Sequence, residues 1–189
     1  MTKIIIISAP SGTGKSSIIA KIIDRPELKL TFSVSATNRP PRGNEKHGIE
    51  YYFIDDTEFK QKIAADMFVE YVEVYPGRYY GTLKSELDRI RLLGKNLILD
   101  IDVEGALKVK EKYPQDTLAI FIAPPSIEEL RKRLMARNTD SAEVIEERLK
   151  RASYELSLQD RFDVCFINDS LEKCASEVAD AIDVFINKS

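Results

Sequence analysis

Ile4-Ile5-Ile6-Ile7-Ser8-Ala9-Pro10-Ser11-Gly12-Thr13-Gly14-Lys15-Ser16 joins an apolar run to a glycine-containing loop and a Lys-Ser pair, and Ile18, Ile19, Ile22 and Ile23 follow at helical spacing. Strand, loop, Lys-Ser and helix in that order make a phosphate-binding loop. Its glycines let backbone N–H groups turn inward around an anion. Lys15 is placed to reach the β- and γ-phosphates of a nucleoside triphosphate, and the Ser16 hydroxyl to coordinate Mg²⁺. The usual first glycine is Ala9 here, which is tolerable where no positive φ is needed. The loop residues Ala9, Pro10, Ser11, Gly12, Thr13, Gly14, Lys15, Ser16 and Ser17 are therefore expected to bind ATP.

The chain has 189 residues and a formal net charge of −3. That length suits one domain with inserted parts. The acidic balance argues against general binding to nucleic acid or to a membrane surface. Four consecutive isoleucines before Pro10 are too few for a signal-peptide core, and no run is long enough to cross a bilayer. Cys165 and Cys174, the only cysteines, read as reduced thiols of a cytoplasmic protein. His47, the single histidine, lies in a polar loop and is expected to be solvated surface.

Apolar runs at Lys3–Ser8, Leu97–Asp102, Leu118–Ala123 and Asp163–Asn168 read as parallel strands, with Thr31–Ser35 a fifth. Helices are expected over 15–24, 57–66, 82–93, 104–112, 126–136, 141–158 and 171–187. Ser126 and Glu129 make a capping box. Residues 35–80 differ in character, with Pro40-Pro41, Arg42-Gly43 and the short strands Tyr51-Tyr52-Phe53 and Val69–Val74. The fold class expected is α/β: a phosphate-loop parallel sheet flanked by helices, with a small mixed β insertion for the acceptor and a helical lid. The core takes 1–34, 81–123 and 151–189, the acceptor insertion 35–80 and the lid 124–150.

Phosphoryl transfer needs an acid near Mg²⁺, positive charge on the moving group and a site for the acceptor. Asp100, at the carboxyl end of a strand beside the loop, is the candidate metal-side acid. Asp102 points to the same side. Arg133 and Arg137 lie four apart on one helix face, and Arg148 and Arg151 follow in the next helix. Arg39 and Arg42 flank a stiff Pro-Pro spacer, suited to gripping a monophosphate. Tyr51 and Tyr80 offer hydroxyls or ring faces. Glu70, a carboxylate in a largely apolar strand, could accept the N1–H and 2-amino pair of guanine, which adenine lacks.

At this point the chain resembles the guanylate kinase family along nearly its whole length. Matching stretches are Ser8–Ser17, Phe32–Arg42, Gly48–Phe53, Tyr79-Tyr80-Gly81-Thr82, Leu99–Gly105 and Phe121–Ser126. The resemblance implies transfer of the ATP γ-phosphate to GMP with Mg²⁺, giving ADP and GDP, with dGMP a second acceptor. It implies that Ser35, Arg39, Arg42, Tyr51 and Tyr80 hold the GMP phosphate, and that Glu70, Thr82 and Asp102 read the guanine. It also implies that Asp100 and Ser16 lie at the metal, that Arg133, Arg137 and Arg148 serve the nucleotide phosphates, and that Asn168 lies near the adenine.

Some positions depart from the family pattern: Asn38 for threonine, Gly43 one place early, an extra residue around Tyr75-Pro76-Gly77, Glu104 for glutamine, and Ala136-Arg137-Asn138 in a usually glycine-rich turn. Two rival readings exist. A guanylate-kinase-like scaffold normally lacks an intact phosphate loop, and a kinase for another acceptor would lack the Glu70, Thr82 and Asp102 set.

Overall fold

The four isoleucines of the first strand are buried to the last, and their side chains divide between two cores. Ile5 and Ile7 pack with Ile18, Ile22, Val178 and Ile182, whereas Ile4 and Ile6 pack with Ile90, Val103, Ala106 and Phe121. Successive strand side chains point to opposite faces, so a strand apolar at every position must be covered on both sides. Each fully buried isoleucine contributes about 1.5–3 kcal/mol relative to exposure. The computed structural model describes residues 2–136 and 141–188; the expectations for Arg137 and Asn138 fall outside these.

Five strands form a parallel sheet in the order β2-β7-β1-β8-β9. They are β1 (Ile4–Ser8), β2 (Leu30–Phe32), β7 (Asn96–Asp100), β8 (Thr117–Ala123) and β9 (Val164–Ile167). Helices α1 (Lys15–Ile22) and α7 (Leu171–Ile186) cover one face. α3 (Lys84–Leu92) and α4 (Val103–Lys112) cover the other. β1 lies between β7 and β8, so the crevice at its carboxyl end is where such sheets bind ligands.

A second, mixed sheet has the order β4-β3-β6-β5, from β3 (Ser35–Thr37), β4 (Tyr51–Phe53), β5 (Phe68–Tyr75) and β6 (Arg78–Leu83). With α2 (Asp56–Ala64) it has its own core of Ala36, Phe59 and Phe68, the two rings stacked at 4.6 Å. The Asp55 side chain caps α2 by accepting from Glu58 N–H. A third core joins α5 (Ile127–Ala136) to α6 (Ala142–Ser157) through Leu130, Leu134, Ile145 and Leu149. α6 runs unbroken past residue 150, where the sequence reading ended the lid. Ser126 Oγ accepts from Glu129 N–H at 3.0 Å, as the capping box predicts, while the Glu129 carboxylate turns to Arg133.

Two element expectations are corrected. The run 31–35 is not one strand: β2 ends at Phe32, and Ser35 opens β3 in the other sheet. The chain crosses between sheets at Val34, whose N–H donates to the buried Glu86 carboxylate at 2.7 Å. The helix expected from residue 82 starts at Lys84, because Thr82 and Leu83 stay in β6, paired with Glu70 and Phe68. Both cysteines are free, as expected. Among the described residues no helix is long and apolar enough to cross a membrane.

Gly81 lets β5 approach β6. A Cβ there would lie 2.7 Å from the Glu70 carbonyl oxygen and 2.8 Å from Tyr71 Cβ. Gly81→Ala is expected to destabilise the protein by about 1–3 kcal/mol. A thermal melt should show a fall of roughly 2–4 °C per kcal/mol for a chain of this size.

Candidate active site

The turn at Thr13-Gly14 is built from backbone conformations that only glycine adopts easily. Gly12 and Gly14 have φ of 94° and 101°. Gly14 is the residue before α1, so the N–H groups of Lys15, Ser16 and Ser17 open the helix, where an anion is favoured. The loop is held from behind. Asn168 is only 5% exposed and donates through Nδ2 to the Thr13 carbonyl at 2.7 Å. Its amide sits 2.6 Å from where a Gly14 Cβ would be. Arg133 Nη1 donates to the Asn168 carbonyl at 3.0 Å and to that of Thr13 at 3.5 Å.

In front of the loop lies a cavity of about 580 Å³, with Lys15, Ser16, Asp100, Asp102, Arg148 and Arg151 on its walls. Lys15 Nζ pairs with Asp100 Oδ1 at 2.5 Å. Arg148 Nη1 donates to Ser11 Oγ at 2.7 Å. A second cavity of about 300 Å³ is lined by Ser35, Glu70, Tyr80 and again Asp100, Ile101 and Asp102. The short segment from Asp100 to Asp102, at the end of β7, is thus a wall common to both. Asp102 also accepts from Gly105 N–H at 2.8 Å as the cap of α4, which fixes its carboxylate.

Glu70 is held in the second cavity by β5. Burial raises its pKa, hydrogen bonds from Thr82 oppose the rise, and the Asp102 charge adds to it. Thr82 is 1% exposed, with its hydroxyl 3.2 Å from Ser33 Oγ. It stands behind Glu70 rather than on the cavity wall.

Beside this cavity Arg39, 8% exposed, donates from Nε to the Tyr80 hydroxyl at 3.1 Å. Its guanidinium lies over the rings of Tyr51 at 4.9 Å and Phe53 at 5.6 Å. Its two terminal nitrogens grip Glu45 at 2.6 and 2.8 Å. Arg42 is exposed, and its backbone N–H donates to Glu45 Oε2 at 2.8 Å. The Arg39 bonds, then that N–H, hold the Glu45 carboxyl down to about 2.

The structure therefore brings Lys15, Ser16, Asp100, Asp102 and Arg148 to one cavity, and Ser35, Glu70 and Tyr80 to its neighbour. Arg133 and Asn168 brace the loop with the bonds just described. Arg137 lies outside the described residues. Arg151, which the sequence offers only as one of several helix arginines, and Glu45 and Glu86, to which it gives no role, also take part. Arg151 lines the first cavity and pairs with Glu155 at 2.9 Å. Glu45 had a signal only in its place three residues after Arg42. Glu86 is 1% exposed and joins three parts of the chain through Val34, Tyr52 and Arg89. Burial alone would raise its pKa, but bonds from Arg89, Val34 N–H and the Tyr52 hydroxyl hold it below the ordinary value. Its spacing to Arg89 reads equally as a surface pair.

Two cavities with one acidic wall suit direct passage of a phosphoryl group between two nucleotides, and this places the chain among the nucleoside monophosphate kinases. A family model described as guanylate kinase matches residues 1–184. The chain is 54% identical over 188 residues to a guanylate kinase of Porphyromonas gingivalis, covering 100% of both chains. It is 50% identical over 184 residues to one of Bacteroides fragilis, covering 97% of this chain and 90% of that one. A crystal structure of guanylate kinase from Anaplasma phagocytophilum aligns over 100% of this chain and 88% of that one, with a TM-score of 0.70 and 30% identity. The chain belongs to the guanylate kinase family.

The raised pKa of Glu70 has a consequence for stability. A carboxyl raised by folding favours the folded state at low pH, and that favour is lost as pH rises through the folded value, above the ordinary 4.5. Replacing the carboxylate by an amide should remove this cost. Glu70→Gln is expected to raise the melting temperature of the ligand-free protein at pH 7 and to leave it unchanged near pH 4, as calorimetry at the two pH values would reveal.

Proposed function

We propose that this chain catalyses the Mg²⁺-dependent transfer of the ATP γ-phosphate to GMP, giving ADP and GDP, as part of purine nucleotide metabolism in the cytoplasm, and that dGMP is a second acceptor. The observation that carries the reading is the Asp100–Asp102 wall common to the cavity of the phosphate loop and the cavity of Glu70.

The residue roles follow from position. Residues 9–17 cradle the triphosphate, with Lys15 toward its β- and γ-phosphates. Glu70 and Asp102 read the guanine edge, Glu70 by accepting the N1–H and 2-amino protons. Thr82 acts by orienting Glu70, to which it donates. Ser35, Arg39, Arg42, Tyr51 and Tyr80 hold the acceptor phosphate. Arg148 faces the transferring group from α6, and Arg133 keeps the loop in shape. The assignment of Arg137 to the same charge rests on its spacing from Arg133. Asn168 supports the loop beside which the ATP base would lie.

Ser16 and Asp100 offer hard oxygen donors, which suits Mg²⁺, an ion commonly held by one or two carboxylates together with substrate phosphates and water. Groups of three or more acids, histidines or cysteines placed to hold a metal do not occur among the described residues, and such a cage is not what that ion needs here. When bound, the ion supplies charge neutralisation on the phosphate oxygens. An acceptor phosphate oxygen attacks the γ-phosphorus in line; the new P–O bond forms as the bond to the β,γ-bridging oxygen breaks, leaving ADP. Lys15 and the arginines lower the barrier by positioning and by fixed positive charge, without a covalent intermediate.

The deciding experiment is an ADP-release assay with ATP, Mg²⁺ and each of GMP, dGMP, AMP, CMP and UMP. Turnover confined to the guanine nucleotides is expected; turnover with another monophosphate alone would overturn the acceptor assignment. In the same assay Lys15→Ala should lower kcat by about a hundredfold or more, and near-normal turnover would remove Lys15 from the site. Glu70→Gln should shrink the preference for GMP over AMP by about tenfold to a hundredfold, the worth of a hydrogen bond to a charged group. An unchanged ratio of kcat/KM values would take Glu70 out of base recognition.

A further inference from the structure

Arg39 spends its hydrogen-bonding capacity on its own chain. A guanidinium has five N–H donors. The Tyr80 hydroxyl, the Pro40 carbonyl and the two oxygens of Glu45 take four of them, at 3.1, 3.0, 2.6 and 2.8 Å. Glu45 fills the Nη1/Nη2 edge of the guanidinium, by the same fork geometry a phosphate would use. That carboxylate also accepts from the Arg42 backbone N–H at 2.8 Å, while Tyr51 and Tyr80 lie against the guanidinium it grips, their rings 5.8 Å apart. These are the groups assigned above to the acceptor phosphate. An arginine with four donors engaged cannot offer a two-bond grip until the carboxylate leaves.

We propose that Glu45 occupies the acceptor-phosphate position in the ligand-free protein and is displaced from Arg39 by the 5′-phosphate of the nucleotide, which makes Glu45 a determinant of acceptor affinity. The inference rests on the acceptor assignment made above. Glu45 is the more accessible of the pair: its side chain is 23% exposed while that of Arg39 is 8% exposed. It sits on a turn closed by Glu45 N–H to the Arg42 carbonyl at 3.1 Å, with open space around Gly43. Rotation of the Glu45 side chain into water vacates the fork without moving Arg39, which Tyr80, Tyr51 and Phe53 keep in place. Glu45 thereby holds the guanidinium paired and oriented when no nucleotide is present. It also lowers the affinity of every anion for the fork, because any ligand there must first displace an attached carboxylate.

A competitor within the molecule lowers apparent affinity by the fraction of time the site is blocked. Removing it in Glu45→Gln should therefore tighten binding of GMP and of inorganic phosphate by about fivefold, the scale of one partly exposed ion pair. Guanosine, which has no phosphate, should bind the variant and the parent equally. Titration calorimetry with these three ligands separates this from a supporting role, in which the variant would bind GMP and phosphate more weakly. A change in guanosine affinity would signal a disturbed fold. The unaltered protein gives the second measurement, a crystal structure with GMP bound: Glu45 is expected beyond hydrogen-bond distance of both Arg39 terminal nitrogens. GMP seated with the Glu45 pair intact would overturn the inference while leaving the acceptor assignment standing. Failure of the unaltered protein to bind GMP at all would overturn both.

Discussion

The carbonyl oxygen of Thr13 accepts from the Asn168 amide and faces Arg133, and through it three separate parts of the chain are committed to one turn. Asn168 follows β9, Arg133 belongs to α5 and Thr13 leads into α1. The turn itself is costly, since two residues at positive φ are needed within three positions. It persists because its surroundings leave no alternative. The Asn168 amide closes the space beside Gly14, and Leu134 and Leu130 close that beside Gly12. A loop braced in this way holds its N–H groups in place ahead of any ligand, and such preorganisation is the condition for electrostatic catalysis to be effective.

The second sheet answers to a different constraint, which is to bring a buried carboxylate within reach of the first. Gly81 allows β5 to lie close on β6, and that approach sets Glu70 opposite Thr82. Asp66 then fixes the insertion to the core. It pairs with Lys84 at the start of α3 and Lys112 at the end of α4, both at 2.6 Å, and those two lysines hold its carboxyl down to about 2. Lys112 also donates to the Phe68 carbonyl at 3.0 Å. The pairs are solvent-exposed and contribute orientation more than stability.

What could be read from residue order was whatever depends on neighbours in the chain. The phosphate loop, the parallel strands and the spacing of Arg39 from Arg42 are local, and the element order follows from them. The errors fall where distant residues decide. Thr82 reads as helix until its pairing with Glu70 in β6 is known. Ser33-Val34 reads as the end of a strand until Glu86, on another element, takes the Val34 N–H. Arg133 looks like any charged residue of an exposed helix, and only the position of Thr13 and Asn168 turns it into a brace. Glu45 carries no signal beyond its place after Arg42 for the same reason: its partner Arg39 is set by a loop closing on itself, not by a periodicity.

Asn38 and the added residue near Tyr75-Pro76-Gly77 looked like unrelated departures from the family pattern, and in the fold they meet. Asn38 Nδ2 donates to the Gly77 carbonyl at 2.8 Å and to Asp56 Oδ1 at 3.0 Å, while its Oδ1 accepts from Tyr79 N–H at 2.9 Å. Threonine has one hydroxyl and could not make all three bonds. Gly77 turns the β5–β6 hairpin at φ 74°, and its N–H is taken by Glu73 Oε1 at 2.6 Å. The longer hairpin thus has its exposed backbone groups satisfied by a side chain long enough to span the gap, next to Arg39 in sequence. The turn leads straight into β6, and Asn38 holds both its Gly77 carbonyl and the Tyr79 N–H, so Tyr80 is placed to bond Arg39. Asn38 thus ties the turn to the strand that leads into Arg39, which keeps β6 in register with β3.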